Sequence, residues 1–259
     1  HKLWIPPVAV CPGHDAPLDW ATESYLRPHN CVVTANRGGG KTNVLGILES
    51  TEAEFKGVGC AHVAATLNQS DKLRDYTRKY FDVRTGLASG DKERNIRLKT
   101  GGRIEILAST LAGVNGPHYP HLSVDEFDEI QKAIFLQSLG IALATDEYPY
   151  SAARVLSTWK HAVGPMTEML DKAEEKGFRI WRWCIFETLQ QCRKADCADC
   201  HEVFCYDRLG TAHSWASVCD GRARRSRGYM LLDDHIANKF KAMSGDFVTY
   251  ESEHLCTKP

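Results

Sequence analysis

The sequence has no run of about 18 apolar residues, the length that a helix needs to span a bilayer. Its first residues show no basic segment followed by an apolar stretch, so we expect no secretory signal. It also has no excess of charge of one sign, because 32 Lys and Arg residues are matched by 33 Asp and Glu residues. Any contact with a nucleic acid must therefore come from a local basic patch.

The chain is 259 residues long and 43% hydrophobic, which is enough for one large domain or two modest ones. It begins at His1 rather than at a methionine and ends at Lys258-Pro259, so we expect it to be part of a longer protein.

Segments typical of strands alternate with helical segments over the first two thirds of the chain. The pattern predicts strands at 31–34, 59–66, 121–124 and 154–158, and helices at 42–50 and 69–81. Residues 96–99 and 103–107 flank Gly101-Gly102 and predict a hairpin. This order predicts an α/β fold with a mainly parallel sheet flanked by helices. Ligands should bind at the carboxyl ends of its strands.

The stretch ANRGGGKT, residues 35–42, resembles a phosphate-binding loop and is called the phosphate loop below. Its end fits the pattern G-x-x-x-x-G-K-[ST], but Ala35 stands where the first glycine is expected. Successive backbone N–H groups would hold the β-phosphate, the lysine would reach the β- and γ-phosphates, and the threonine would bind Mg²⁺. The predicted nucleotide-binding residues are Gly38, Gly39, Gly40, Lys41 and Thr42. The alternative is an ordinary glycine-rich turn before a helix.

Acidic residues follow the predicted strand at 121–124. Asp125 at the strand end would hold Mg²⁺, and Glu126 would orient and deprotonate the attacking water. Asp128 and Glu129 lie further along and are expected to start the next helix. The alternative for all four is a solvated acidic turn.

Arg37 lies inside the phosphate loop, where a guanidinium could stabilise charge on the γ-phosphate, in its own subunit or in a neighbouring one. A solvent-facing arginine is the alternative. The sequence has no Asn-Lys-x-Asp guanine-binding motif, so ATP is the expected nucleotide.

Half of the ten cysteines fall within residues 192–219. With no secretory signal, such clustering favours a metal site over disulfides. We predict structural zinc bound by Cys192, Cys197, Cys200 and Cys219. His201 and Cys205 compete for the fourth position, and an iron–sulfur cluster or free reduced cysteines are the alternatives.

Two basic runs are candidates for sequence-independent contacts with DNA phosphates. One comprises Arg222, Arg224, Arg225 and Arg227, and the other Lys92, Arg94, Arg97, Lys99 and Arg103. Solvated charged faces are the alternative.

Five motifs occur together in a fixed order: ANRGGGKT, IRLKTGGRIEIL, GVNGPH, LSVDEFDE and LSTW. In this combination the sequence resembles the ATPase domain of a large terminase subunit. These proteins drive double-stranded DNA into the procapsids of tailed bacteriophages. A phosphate loop without its first glycine and with an internal arginine is a feature of that family.

The resemblance implies a RecA-like P-loop NTPase with Arg37 as the loop arginine, Asp125 as the metal-side acid and Glu126 as the catalytic base. Ser157 and Thr158 of LSTW would couple hydrolysis to movement of a lid. Asn115 departs from the arginine that related chains often carry before Gly116-Pro117. Trp20 and Tyr25 are candidates to stack on the adenine, although a buried aromatic is the commoner role.

The resemblance further implies an ATPase core over residues 1–165 and a lid with the cysteine module over 166–259. A C-terminal nuclease domain would be absent from this chain. The expected cofactors are ATP with Mg²⁺, and the expected partners are double-stranded DNA, the portal protein of the procapsid and the small terminase subunit. The active form would be a ring of identical subunits in the host cytoplasm, without contact to a membrane. A superfamily-2 type helicase, or a metal-binding nucleic-acid module without turnover, are the alternatives.

Overall fold

The computed structural model describes residues 7–83, 88–92, 94–201, 203–231, 239–243 and 246–258. Its main sheet has eight strands in the order β3-β4-β5-β2-β6-β7-β1-β8. The strands are β1 Cys31–Ala35, β2 Gly59–Ala64, β3 Ala88–Lys92, β4 Asn95–Leu98, β5 Arg103–Leu107, β6 His121–Asp125, β7 Ala152–Ser157 and β8 Arg179–Trp183.

From β5 to β8, every neighbouring pair of strands is parallel. Only β3 and β4, which extend the sheet at the other edge, pair antiparallel with their neighbours. The mainly parallel sheet and the hairpin of β4 and β5 are thus confirmed. Because β8 follows residue 165, the sheet continues past the predicted end of the core.

Helices cover both faces of the sheet. They are α1 Pro17–Leu26, α2 Lys41–Lys56, α3 Leu67–Val83, α4 Leu111–Val114, α5 Lys132–Ser138 and α6 Pro165–Asp171. Side chains of β1 alternate between two hydrophobic cores: Val32 packs with residues of α5 and α6, whereas Val33 packs with residues of α1 and α2. This explains why the strand is an uninterrupted apolar run, since both of its faces are buried.

A buried ion pair joins this sheet to α2. Arg154 of β7 donates to both carboxylate oxygens of Glu52 of α2, at 2.9 and 2.7 Å, and His121 contacts the same carboxylate at 2.9 Å. All three residues are fully buried. Burial alone would raise the pKa of Glu52, but Arg154 and His121 outweigh it and lower the pKa to about 2. The carboxylate is therefore charged at neutral pH and depends on its two partners.

The last third of the chain forms a further hydrophobic core, built mainly by residues 184–231, 239–243 and 246–258, which we call the C-terminal layer. It contains α7 Ile185–Thr188, β9 Phe204–Tyr206, β10 Ala212–Ser214, α8 Trp215–Cys219 and α9 Phe247–Leu255. Aromatic rings hold it together, with Phe240 packing edge-on against Trp215 at 5.6 Å and Tyr250 at 4.9 Å between centroids. In the described part of the chain, every helix is too short or too polar to span a bilayer.

Candidate nucleotide-binding site

The predicted site residues meet at the carboxyl ends of three adjacent strands, β6, β7 and β1. The phosphate loop follows β1, Asp125 is the last residue of β6, and Ser157 is the last residue of β7. Parallel neighbours end at the same edge of a sheet, so register alone brings these residues together.

Lys41, the first residue of α2, points toward the end of β7. Its ammonium group donates to Thr158 Oγ1 at 2.8 Å and to the carbonyl of Ala35 at 3.4 Å, and the residue is 6% exposed. The predicted phosphate-binding lysine and the predicted coupling residue are therefore in direct contact.

Thr42 and Asp125 form the second contact of the site. The Thr42 hydroxyl donates to Asp125 Oδ2 at 2.6 Å, and Asp125 Oδ1 accepts the backbone N–H of Glu126 at 2.9 Å. Two hard oxygen ligands side by side are the donor set that Mg²⁺ prefers. The residues present thus fit the predicted ion.

Glu126 follows Asp125 in a left-handed backbone conformation, with φ of 51°, which turns the chain sharply after β6. Its carboxylate lies 3.6 Å from the ammonium group of Lys160, which also pairs with Glu129 at 2.8 Å. Burial alone would lower the pKa of Lys160, but the hydrogen bond to Glu129 and the charge of Glu126 outweigh it and raise the pKa.

Asp128 and Ser157 have positioning roles in this structure. Asp128 Oδ1 accepts the backbone N–H of Met166 at 3.1 Å, at the start of α6, and Ser157 Oγ accepts the backbone N–H of Asp128 at 3.3 Å. Asp128 and Glu129 lie in a short 3₁₀ helix, Phe127–Glu129, in line with the prediction that they begin a helix.

The glycines of the phosphate loop allow a close approach of other groups. Gly40 has φ of 76°, and a Cβ there would lie 2.1 Å from the hydroxyl of Tyr229. The Gly39 carbonyl accepts both this hydroxyl, at 2.5 Å, and the indole N–H of Trp183, at 3.1 Å. Only glycine fits at position 40 in this arrangement.

Arg37 extends away from the sheet toward α9. Its side chain is 68% exposed and its guanidinium lies 3.1 Å from the carboxylate of Glu253, while its backbone N–H donates to the Glu253 carbonyl at 2.7 Å. In this structure the guanidinium of Arg37 is therefore paired with Glu253.

The sequence did not predict that the C-terminal layer covers the phosphate loop. Tyr229, Met230 and Glu253 all contact it, with Met230 Sδ 3.9 Å from the side-chain amide nitrogen of Asn36. Tyr229 and Met230 follow the arginine-rich run that ends at Arg227. In the sequence that run indicates a charged surface but not a contact with the phosphate loop. These contacts join positions roughly 190 to 216 residues apart in sequence.

Several other candidates have structural partners. Trp20 is fully buried, packs 5.8 Å from Trp183 and donates to the thiol of Cys31, so it is a core residue rather than a base-stacking one. The ammonium group of Lys56 lies over the ring of Tyr25. Asn115 is exposed and accepts a hydrogen bond from Gln137 at 2.6 Å.

The four cysteines predicted to bind zinc line a single pocket. Cys192, Cys197, Cys200 and Cys219 border it together with Trp215 of α8. Burial raises the pKa of the Cys219 thiol, and the neighbouring Cys192 and Cys197 add to the shift. The competing candidates lie differently: Cys205 donates to the Met243 carbonyl at 3.2 Å, and His201 is exposed.

The two basic runs are only partly available to DNA. Arg222 stacks on Phe186, and Arg224 donates to the carbonyls of Lys194 and Ala195. Arg225 and Arg227 are exposed, as are Arg94, Arg97 and Lys99 in the other run. Arg103 pairs with Glu105 at 2.8 Å, and the side chain of Lys92 lies outside the described residues.

Searches against protein-family models and against curated proteins find no match. Among solved structures, the HK97 bacteriophage large terminase gives a TM-score of 0.53 at 12% identity, covering 86% of this chain and 48% of that one. The large terminase of a thermophilic bacteriophage gives 0.53 at 13% identity, covering 70% and 46%. The ATPase domain of a Thermus phage large terminase gives 0.50 at 12% identity, covering 67% and 82%.

This chain has the fold of a phage large-terminase ATPase domain. The predicted α/β fold, a mainly parallel sheet flanked by helices, is thereby confirmed. The chain spans about half the length of the first two terminases, 46% and 48%. Two further structures of the thermophilic phage terminase are in complex with ADP and with ATP-γ-S.

Proposed function

We propose that this chain is the ATPase part of a phage DNA-packaging motor, which hydrolyses ATP to move double-stranded DNA into a procapsid in the host cytoplasm. One observation carries the proposal: Lys41 meets Thr158, and Thr42 meets Asp125, across the ends of β1, β7 and β6. The terminase fold supports it, because the solved terminases of this fold include complexes with ADP and ATP-γ-S.

The phosphate loop supplies binding and orientation. Backbone N–H groups from Gly38 to Thr42 and the N-terminus of α2 offer partial positive charge to the phosphates. Thr42 and Asp125 would hold Mg²⁺, which would neutralise phosphate charge during transfer. Glu126 would then accept the proton of the attacking water.

Thr158 would transmit the binding of a phosphate from Lys41 to the end of β7. When Lys41 binds a phosphate, its hydrogen bond to Thr158 must weaken, because the ammonium group turns toward the new charge. The end of β7 would therefore sense whether the γ-phosphate is present. Ser157 lies one residue earlier and holds the turn that carries Asp128, so the signal can reach α6.

The partners of the motor follow from the same proposal. In a ring of identical subunits, Arg37 would leave Glu253 and stabilise γ-phosphate charge, in its own subunit or in its neighbour. Exposed arginines such as Arg225 and Arg227 would contact DNA phosphates without reading sequence. The portal protein and the small terminase subunit would be the other partners.

The test measures nucleotide binding and ATP hydrolysis with and without duplex DNA, over a range of protein concentrations. Lys41→Ala should abolish binding. Glu126→Gln should keep binding but lower turnover by about 100-fold or more, the contribution of a general base. Glu129→Gln is the matched control, because Glu129 also pairs with Lys160 but lies beyond the strand end, and its turnover should stay within about twofold.

Each alternative function has its own outcome in this test. Nucleotide binding or turnover that is indifferent to Lys41→Ala would contradict the proposal. A wild type that binds DNA but neither binds nor hydrolyses ATP, with DNA binding unchanged by Lys41→Ala, would indicate a metal-binding module. Translocation along duplex DNA is measured by the displacement of a third strand from a DNA triplex. Separation of the duplex itself would instead indicate a helicase.

We also propose that the pocket lined by Cys192, Cys197, Cys200 and Cys219 binds structural zinc. The pocket gathers four thiols in a region of short elements, where metal binding would supply folding energy. Metal analysis of Cys197→Ser, with Cys31→Ser as the control, tests it: only the first variant should lose zinc.

A further inference from the structure

Four side chains with metal-ligand chemistry meet at a place that neither the phosphate loop nor the cysteine pocket includes. Cys11 and His14 precede α1, whereas Cys184 and Glu187 lie at the end of β8 and in α7. One donor atom from each of the four lies within 4.8 Å of the other three. The two pairs are 173 residues apart in sequence, so only the fold brings them together.

Two of the six distances between these donor atoms are close to the edges of a tetrahedral zinc site. The sulfurs of Cys11 and Cys184 are 3.5 Å apart, and His14 Nδ1 lies 3.1 Å from Glu187 Oε2. With Zn–S bonds of about 2.3 Å and Zn–N or Zn–O bonds of about 2.0 Å, tetrahedral edges are about 3.8 and 3.3 Å. A disulfide would require sulfurs about 2.05 Å apart, which these are not.

The backbone already orients the four ligands. His14 donates its backbone N–H to the Cys11 carbonyl at 3.2 Å, and Glu187 donates to the Cys184 carbonyl at 3.2 Å, so each pair lies on one turn. The Glu187 carboxylate accepts backbone N–H groups from Cys11 and Cys184, both at 2.7 Å. Cys184 and Glu187 are fully buried, and the side chain of His14 is 11% exposed. Ligands fixed in this way lose little entropy when an ion binds.

The charges of the site would balance around a divalent ion. Two thiolates and one carboxylate carry three negative charges, and the histidine would bind as neutral imidazole. Arg222 adds one positive charge, with its guanidinium 3.3 Å from Cys11 Sγ. Glu52, Cys60 and His121 form a different buried group of possible ligands. There the carboxylate is already paired with Arg154, so its negative charge is neutralised without a metal ion.

We propose that Cys11, His14, Cys184 and Glu187 bind a structural zinc ion. All four positions are filled by protein ligands, as is typical of structural rather than catalytic sites. Trp183, next to Cys184, donates to the Gly39 carbonyl, so the ion would fasten the N-terminal segment to the strand that supports the phosphate loop. The site is independent of the proposed ATPase activity.

The first experiment counts metal in the purified full chain. His14→Ala and Cys184→Ser should each contain about one zinc ion per chain less than the wild type, because a tetrahedral site that loses a ligand binds far more weakly. Cys31→Ser is the matched control, since Cys31 is a fully buried thiol outside both cysteine groups, and it should keep the wild-type content. An unchanged zinc content in folded His14→Ala overturns the proposal.

A second measurement leaves the four proposed ligands intact, so it does not depend on the folding of those variants. The double variant Cys197→Ser, Cys200→Ser removes two thiols of the cysteine pocket. X-ray absorption of the zinc it retains should show two sulfurs at about 2.3 Å and two nitrogen or oxygen atoms at about 2.0 Å. Loss of all zinc, a shell of four sulfurs, or a Cys11–Cys184 disulfide in its tryptic map would each overturn the proposal.

Discussion

The phosphate loop and the cysteine pocket are both candidate ligand sites at short motifs, yet the fold supports them differently. The loop joins β1 to the 16-residue α2, and β1 is hydrogen-bonded to β7 and β8 on its two sides. The cysteine pocket is built from a three-residue 3₁₀ helix, Ala198–Cys200, the five-residue α8 and the turns around them. Lys41 and Asp125 are buried, whereas Cys192, Cys197 and Cys200 are partly exposed.

The difference shows what each site needs in order to form. The register of a buried parallel sheet positions Lys41, Thr42 and Asp125, so their geometry follows from the packing of the sheet. Short turns bury little surface per residue and gain few backbone hydrogen bonds. If the pocket binds zinc as proposed, the ion would supply free energy that a sheet supplies elsewhere. Four predictions test this contrast, beginning with the largest effect.

We expect the largest loss of stability when the buried ion pair between the sheet and α2 is removed. Arg154→Met leaves the Glu52 carboxylate buried without its cationic partner, beside His121 and the Cys60 thiol, and we expect the free energy of unfolding to fall by about 3 to 5 kcal/mol. Urea denaturation at neutral pH measures the change. Lys132→Met is the matched control, because the pair of Lys132 with Glu168 is exposed and its loss should cost less than about 1 kcal/mol. Equal effects of the two substitutions would contradict this view of the sheet.

Metal removal should separate the two regions. If the cysteine pocket draws its stability from zinc, the double variant Cys197→Ser, Cys200→Ser should lose this ion but keep the other proposed one. Its free energy of unfolding should then fall by about 2 to 3 kcal/mol, the value for an ion present at about 100 times its dissociation constant. Amide hydrogen exchange should then rise by more than about tenfold across residues 192–219. Amides of β1 and β6 should change by less than about twofold. Equal loss of protection in both regions would show that the sheet also depends on the metal.

Acid should weaken the C-terminal layer through His254. Burial lowers the pKa of this histidine from 6.5 to about 4, more than the charge of Glu253 raises it. Between those two values the unfolded chain binds a proton that the folded chain does not, so stability falls as pH decreases. At about pH 5 the loss is about 2 kcal/mol relative to pH 7.5.

The variant His254→Gln cannot bind this proton. Its loss of unfolding free energy between pH 7.5 and pH 5 should therefore be about 2 kcal/mol smaller than that of the wild type. Urea denaturation of both proteins at each pH is the measurement. His161→Gln is the control, since His161 is an exposed histidine that belongs to neither proposed metal site. If His254→Gln and the wild type lose the same free energy, this histidine is not responsible.

Local sequence patterns predicted the sheet because strands and turns are largely determined by the residues within each segment. The apolar run before the phosphate loop, the hairpin around Gly101-Gly102 and the acids after β6 all lie in the predicted elements. Parallel register then brings Lys41, Thr158 and Asp125 together without further information. Their proposed roles in hydrolysis remain predictions for the kinetic test.

Contacts between distant segments could not be predicted in this way. The cover that Tyr229 and Glu253 form over the phosphate loop depends on how the C-terminal layer packs, and no periodic pattern encodes that packing. The same holds for Cys11 and Cys184, which looked like scattered cysteines. Arg154 lies in a predicted strand, but its partner Glu52 lies on a helix 102 residues away, so no local pattern indicates the pair.

The smallest predicted effect concerns the contact between the two regions. Tyr229→Phe removes only the hydroxyl that donates to the Gly39 carbonyl, and that carbonyl keeps its hydrogen bond from Trp183. We therefore expect the free energy of unfolding to fall by only about 1 kcal/mol. Tyr206→Phe is the control, because Tyr206 is exposed on β9.

The direction of the change in nucleotide affinity is the informative result. If phosphates bind where Tyr229 now holds the loop, the wild type must break this hydrogen bond first, and the phenylalanine variant does not. Its dissociation constant for ATP should then be about fivefold lower, which corresponds to about 1 kcal/mol. Calorimetric titration with ATP and Mg²⁺ measures it. An unchanged constant would mean that the loop binds phosphate with Tyr229 in place, so that the C-terminal layer is part of the binding-competent state and not a cover that must open.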